Sequence, residues 1–265
     1  MKRSLIIVAA VAFCFSGYAQ QTGKSKKQVR KEEKRAKINA LIKAEEEGVI
    51  AYRKHYAFGI KLLTDGYGIS FEKGYSKTVK SSTLFQFEIA ERKHQKEEKQ
   101  NSPFVSAAPF IYGKINFFYP VKLGVQKQYL LGNKSNKNGV SVTANFGGGI
   151  TLGVLRAYEF EIDDNNGRRF IRYDSPDSAI FANPVGRNPS GPGLGKGWNH
   201  IKMTPGLYVK PAVRFDYGRF NELVAAIEVG AVAEFYSKKI PQMISNKENQ
   251  FFFGAYFTLL FGKRK

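Results

Sequence analysis

The chain has 265 residues, is 43% hydrophobic, and carries 42 Lys and Arg against 22 Asp and Glu, for a formal net charge of +20. One cysteine, Cys14, excludes a disulfide framework. Mean hydropathy is −0.34, which excludes a bundle of spanning helices but not a barrel, because only alternate residues of a barrel strand meet lipid.

At the start of the chain, Lys2 and Arg3 precede an apolar run over residues 5–15, and Gly17 and Ala19 put small residues at a cleavage position. This reads as a signal peptide, residues 1–19, cut after Ala19. The run is shorter than the ~20 residues a spanning helix needs. Phe13 stands before Cys14, where lipid modification requires a small residue, so the cysteine leaves with the signal. The exported chain then holds no thiol, and cysteine-ligated metal is excluded. Export also argues against nucleic acid as the partner of the basic charge, leaving phospholipid or lipopolysaccharide head groups.

Residues 20–54 form a second region, a basic arm expected to be helical or partly disordered. Lys24, Lys26, Lys27, Arg30, Lys31, Lys34, Arg35 and Lys37 are interspersed with Gln28, Glu32 and Glu33, followed by a short apolar stripe, Ile38, Leu41 and Ile42. Propensity favours a helix here, while the weak apolar face gives it little to pack with. Residues 20–48 are either a solvated linker or a contact with a periplasmic or membrane protein partner.

From residue 55 the apolar period becomes two, which predicts an all-β, eight-stranded antiparallel transmembrane barrel over residues 55–265. The expected outward faces are Tyr56, Phe58, Ile60 and Leu62; Tyr67, Ile69 and Phe71; Phe85, Phe87 and Ile89 in strand 83–92; and Ile115, Phe117, Tyr119, Val121, Leu123 and Val125 in strand 114–126. They continue with Val140, Val142, Ala144, Phe146, Ile150, Leu152 and Val154 in strand 140–155; Leu207, Val209, Val213, Phe215 and Tyr217; Ala225, Ile227, Val229, Ala231, Ala233 and Phe235; and Phe251, Phe253, Ala255, Phe257, Leu259 and Phe261 in strand 250–262. Thr64-Asp65-Gly66 is the first hairpin turn, with Gly expected at positive φ. The remaining connections alternate short (75–82, 131–139, 218–221) and long (93–113, 162–203, 237–249), as outer-membrane barrels require. The alternatives are a periplasmic β-sandwich, or a lipocalin-like fold with the apolar face turned inward around a ligand.

Placing the apolar face outward sends Lys61, Glu72, Glu88, Arg92, Lys122, Lys210, Arg214, Asp216, Glu228 and Glu234 into the lumen. An eight-stranded barrel is just wide enough to be filled by its own side chains, so these charges are expected to pair as a plug. A narrow polar conduit for small solutes is the alternative. Catalytic signals are thin: His55, His94 and His200 are scattered, and neither His94 nor His200 has a partner at a recognisable spacing, so no catalytic residue is assigned and a lipid-modifying barrel enzyme is a second alternative. No metal ligand set or cofactor is expected; Asp163-Asp164-Asn165-Asn166-Gly167 reads as a turn, and Gly147-Gly148-Gly149 as close packing in the wall. The cationic third long loop, with Arg168, Arg169, Phe170 and Tyr173, is the candidate external contact.

Several stretches together resemble the small outer-membrane barrel proteins of Bacteroidota, many of which have no assigned function. They are Ala19-Gln20, the basic helix, and Phe58-Gly59-Ile60-Lys61 leading to Asp65-Gly66-Tyr67-Gly68, with Asn116-Phe117-Phe118-Tyr119-Pro120-Val121-Lys122-Leu123-Gly124 and Asn138-Gly139 before Val140-Ser141-Val142. The resemblance implies a fold and a Gram-negative outer-membrane location, and it transfers no active-site residue. The expected role is a non-enzymatic envelope structural, assembly or interaction component that contacts outer-membrane lipid and binds a partner or anionic lipid.

Overall fold

The structure, a computed structural model, describes residues 25–46, 52–100, 108–133, 139–164, 167–184, 186, 188–193, 195–218, 223–244 and 246–265. The expected signal peptide lies outside them, as do Asn138, Asn165 and Asn166. Two compact units divide the chain, Met1–Glu47 and Gly48–Lys265.

The first unit contains helix α1 (Lys26–Glu46). Ser25 and Gln28 begin it as a capping box: the Ser25 backbone N–H donates to Gln28 Oε1 at 3.0 Å, and the Lys27 N–H donates to Ser25 Oγ at 3.4 Å. Long straight-chain residues carry the helix onward, and its described side chains are exposed.

The second unit runs β1 (Lys54–Leu63), β2 (Gly66–Ser76), β3 (Ser81–Arg92), β4 (Lys99–Gln100), β5 (Phe110–Ile111), β6 (Asn116–Gly132) and β7 (Ser141–Ala157). It continues with β8 (Phe160–Asp164), β9 (Gly167–Ile171), the short helix α2 (Ser178–Ala182), a 3₁₀ turn (Trp198–His200), β10 (Ile201–Asp216), β11 (Leu223–Ile240) and β12 (Asn249–Arg264). Eight of the strands close an antiparallel barrel in the order β1-β12-β11-β10-β7-β6-β3-β2. Each long strand has its expected apolar face outward.

The register fixes the shape. Stepping sideways from Phe251 leads to Phe235, Leu207, Ile150, Leu123, Phe87, Phe71 and Phe58, and returns to β12 at Phe261, an advance of 261 − 251 = 10 residues per circuit. Ten residues at ~3.3 Å against eight strands at ~4.8 Å tilt the strands by about 40°. All nine side chains of this spiral are large, apolar and exposed, so one continuous hydrophobic ribbon winds around the outside.

Two local expectations are corrected. Thr64 and Asp65 alone form the first loop, and Gly66 already pairs with Leu63; none of the three has positive φ. Gly66 is needed for close approach instead, since a Cβ there would lie 1.9 Å from the Glu91 carbonyl oxygen. Second, β6, β10 and β11 run beyond their expected ends, β10 beginning at Ile201 rather than 207. Lys202-Met203-Thr204-Pro205-Gly206 gives no clean alternation, and Pro and Gly read as a break, yet Pro205 pairs in register with Leu152.

The long connections gather at one end, together with the two-residue β1–β2 loop, and the other short turns lie at the opposite end. At the long-loop end, β4 pairs with β5 and β8 with β9. With α2 they enclose an apolar cluster of Phe110, Ile111, Tyr158, Phe160, Ile162, Ile171 and Phe181. Backbone bonds tie the loops to each other: Gly191 N–H to Ala108 O at 3.0 Å and Ile244 N–H to Gly113 O at 2.7 Å. The long loops thus form an ordered cap with its own small core.

Candidate functional site

The lumen holds the densest chemistry. All ten charged residues assigned to it from the sequence are at most 4% exposed, and their contacts form connected tiers. Nearest the short turns, Asp216 pairs with Arg264 and accepts the Gly218 backbone N–H at 2.9 Å. Above it Arg214 grips both oxygens of Glu72, at 2.7 Å each, and reaches Glu228 Oε2 at 2.6 Å. The bidentate fork suits a planar guanidinium between two carboxylates.

In the middle tier Glu88 receives Lys61 on one oxygen and Lys122 on the other, the latter at 2.9 Å. Lys210 lies between tiers, 3.8 Å from Glu88 and 3.7 Å from Glu228. Toward the cap, Lys122 also meets Glu234 at 2.7 Å, and Arg92 joins Glu234 at 3.0 Å to Asp65 at 2.6 Å. Every cation in the column has a carboxylate partner, which is what a low-dielectric wall demands.

Several members were missing from the sequence reading. His55 Nε2 lies 3.6 Å from Glu72; Asn145 Nδ2 and Tyr256 Oη donate to Glu228, each at 2.9 Å; Tyr236 Oη donates to Glu234 at 2.6 Å. Lys61 Nζ also sits 4.2 Å from the centre of the Tyr256 ring. Alternation already places Tyr256 and Tyr236 opposite the apolar face, so the available signal was their parity, overridden by their aromatic character. Gly124 makes room for a third inward tyrosine: a Cβ there would lie 2.3 Å from Tyr208 Oη.

The cap presents the other candidates. Arg168 pairs with Asp163 at 3.4 Å across the β8–β9 hairpin, and Arg169 meets Asp164 at 3.3 Å and Asp177 at 3.2 Å. Phe170 is exposed beneath the Lys196 ammonium, 4.2 Å from its ring centre, while Tyr173 packs edge-on against Phe181 at 5.9 Å. These four residues therefore share one hairpin region, with Phe170 facing outward and Tyr173 leaning on the cap core. Within that core Tyr158 Oη accepts the Ile111 N–H at 2.8 Å, and burial pushes its phenol up to about 12. Burial likewise holds the Lys114 ammonium below its ordinary value, although Glu97 is 2.6 Å away.

His200 has partners that no sequence spacing reveals: Glu159 Oε1 lies 2.7 Å from Nδ1, and Arg172 contacts Nε2. Fold, not spacing, brings them together, since Glu159 is 41 residues away. With both ring nitrogens engaged, neither is available to a substrate in this arrangement. His94 is elsewhere, its Nδ1 accepting the Lys96 N–H at 3.2 Å. At the junction of barrel and cap, buried Arg156 lies over the rings of Phe117, Tyr119 and Trp198, at 4.0, 5.7 and 5.1 Å.

No family model and no curated protein matches the chain. Among solved structures it is similar to the N-terminal β-barrel domain of Pseudomonas aeruginosa OprF, with 10% identity over 81% of this chain and 98% of that one and a TM-score of 0.36. It is similar also to Neisserial surface protein A, with 10% identity over 80% and 94% and a TM-score of 0.33. Ail, the attachment invasion locus protein of Yersinia pestis, matches with 9% identity over 80% and 96% and a TM-score of 0.34.

Proposed function

We propose that this chain is a non-enzymatic outer-membrane barrel of a Gram-negative envelope, of the Bacteroidota kind its sequence resembles, whose lumen is plugged and whose cap is the working surface. The observation that carries the reading is the inversion of the barrel: an unbroken apolar ribbon outside and a column of paired charges inside. From Phe251 to Phe261 the apolar face of β12 runs ~34 Å along the strand and about 26 Å along the barrel axis, close to the ~25 Å apolar band of such barrels. Tyrosines flank the band, Tyr56, Tyr75, Tyr129 and Tyr217 toward the short turns and Tyr67 and Tyr119 toward the cap, where an interface favours amphipathic rings.

The column of ion pairs supports a structural role for the lumen, and the cap supports an interaction role with a protein partner or anionic lipid through Arg168, Arg169, Phe170 and Tyr173. Residues 1–19 act as an export signal in this reading, and residues 20–48 offer a second, periplasmic contact. Planar-bilayer recording of the purified full chain tests the plug: silence is expected, and steady conductance would replace it with the narrow conduit. Deletion of the β8–β9 hairpin is expected to abolish surface binding in the intact envelope while leaving barrel insertion unchanged.

A further inference from the structure

The outward surface at the short-turn end is not uniform around the barrel. On β1 and β12, Tyr56 stands in register with Lys263 on one side and, on β2, with Lys73 on the other. One step nearer the rim, Lys54 stands in register with Tyr75, Tyr75 with Thr83, and Thr83 with Lys127 of β6. All of these belong to the outward parity of their strands. The cations are gathered as well as adjacent: Lys54 Nζ is 5.9 Å from the centre of the Tyr75 ring, Lys73 Nζ is 5.4 Å from that ring and 5.5 Å from Tyr56, and Lys127 Nζ donates to Thr83 Oγ1 at 2.8 Å.

On the opposite wall the same level is apolar. There β7, β10 and β11 show Val142, Phe215, Leu223 and Ala225 outward, with the Tyr217 ring beyond Phe215. Among the described residues no Asp or Glu side chain faces outward at this end; Glu72 and Asp216, the nearest acidic side chains, are buried in the lumen on Arg214 and Arg264. Among the described residues, no acidic side chain pairs with the lysines of the basic wall, while the nearby tyrosines supply apolar rings and polar hydroxyls. In a bilayer this is the depth at which acyl chains give way to head groups, and a lysine stem lying along lipid delivers its ammonium to that layer.

We infer that the outward face of β12, β1, β2, β3 and β6 at the short-turn end is a binding site for the phosphate of anionic phospholipids, held by Lys54, Lys73, Lys127 and Lys263. The inference rests on the bilayer reading above and deepens it by naming the lipid class, the leaflet facing the short turns and the side of the barrel. It also gives the barrel a preferred lipid flank, with β7, β10 and β11 left to neutral lipid.

The test uses the full chain in mixed micelles of phosphatidylglycerol and phosphatidylcholine with matched acyl chains, and native mass spectrometry to count retained lipids. The wild-type chain is expected to retain phosphatidylglycerol preferentially. The combined variant Lys54→Gln, Lys73→Gln, Lys127→Gln and Lys263→Gln is expected to lose at least about tenfold of that preference, and Lys238→Gln with Lys239→Gln, exposed at the cap end, is expected to keep it. Equal preference in the fourfold variant, or equal loss in the cap-end control, overturns the site. Full displacement of the lipid by inorganic phosphate would also overturn it, pointing to a free-anion site. Heat-modifiable migration and protease protection in vesicles are followed in parallel: a chain that fails to insert overturns the bilayer reading, whereas one that inserts without lipid preference overturns only the site.

Discussion

The barrel and the cap are built on opposite solvent rules. In the barrel, charges such as Arg214, Glu72, Lys122 and Glu234 are buried while Phe253, Phe146 and Leu207 are more than 60% exposed. In the cap, Phe160, Ile162 and Phe181 are buried and Arg168, Asp163 and Lys202 lie outside. Within one chain, the change in burial rule from barrel to cap marks where an apolar surrounding ends and water begins. Arg156 stands at the change, its guanidinium covered by Phe117, Tyr119 and Trp198.

The sharpest way to break this comparison is to remove one charge from the lumen. Replacing Arg214 by Met leaves Glu72 and Glu228 facing one another, both buried. Deleting one member of a buried charge network costs about 3–5 kcal/mol, because the remaining charges stay desolvated. Urea unfolding of the folded barrel in liposomes should show a loss of this size. A change below about 1 kcal/mol would mean that water already solvates the column.

In the cap, Phe160→Ala should cost about 3–5 kcal/mol, the usual range for emptying an aromatic site, but only locally. The ring contacts Phe110 at 4.6 Å and Phe181 at 4.9 Å, all within the cap cluster. Limited proteolysis should therefore cut the loops faster while heat-modifiable migration of the barrel is retained. If both change together, cap and barrel fold as one cooperative unit and the two-rule description fails.

How much of this could be read from the sequence follows the same division. Alternation located all eight barrel strands, because an apolar outer face repeats every second residue with little dependence on distant contacts. It also placed Lys61, Glu88 and Glu234 inside by parity. What parity could not supply was pairing across the lumen: Arg214 and Glu72 are 142 residues apart, and only closure of the barrel makes them neighbours. The cap was read as long loops because its core is assembled from single aromatic residues, Phe110, Tyr158 and Phe181, with no repeating pattern between them. The partners of His200 escaped for the same reason.

A smaller effect is expected at the boundary. Arg156→Lys keeps the charge but loses the flat face that stacks on three rings, a difference of about 1 kcal/mol. Trp198 is the only tryptophan, so its emission reports this contact directly. A red shift with unchanged barrel migration is expected. Unaltered emission would mean that the guanidinium plane does not hold the indole.

The smallest stability effect belongs to the outer surface of the cap. The Arg168 side chain is 71% exposed and meets Asp163 at 3.4 Å, a solvent-screened pair worth at most about 1 kcal/mol. Arg168→Gln should leave both loop proteolysis and barrel unfolding unchanged. Because the residue is nearly free of structural duty, any loss of surface binding in this variant separates contact from folding, which no substitution in the lumen can do. If Arg168→Gln instead loosens the β8–β9 hairpin to protease, the exposed arginine is holding the cap together, and the water-facing side of the molecule is less free to serve a partner than its exposure implies.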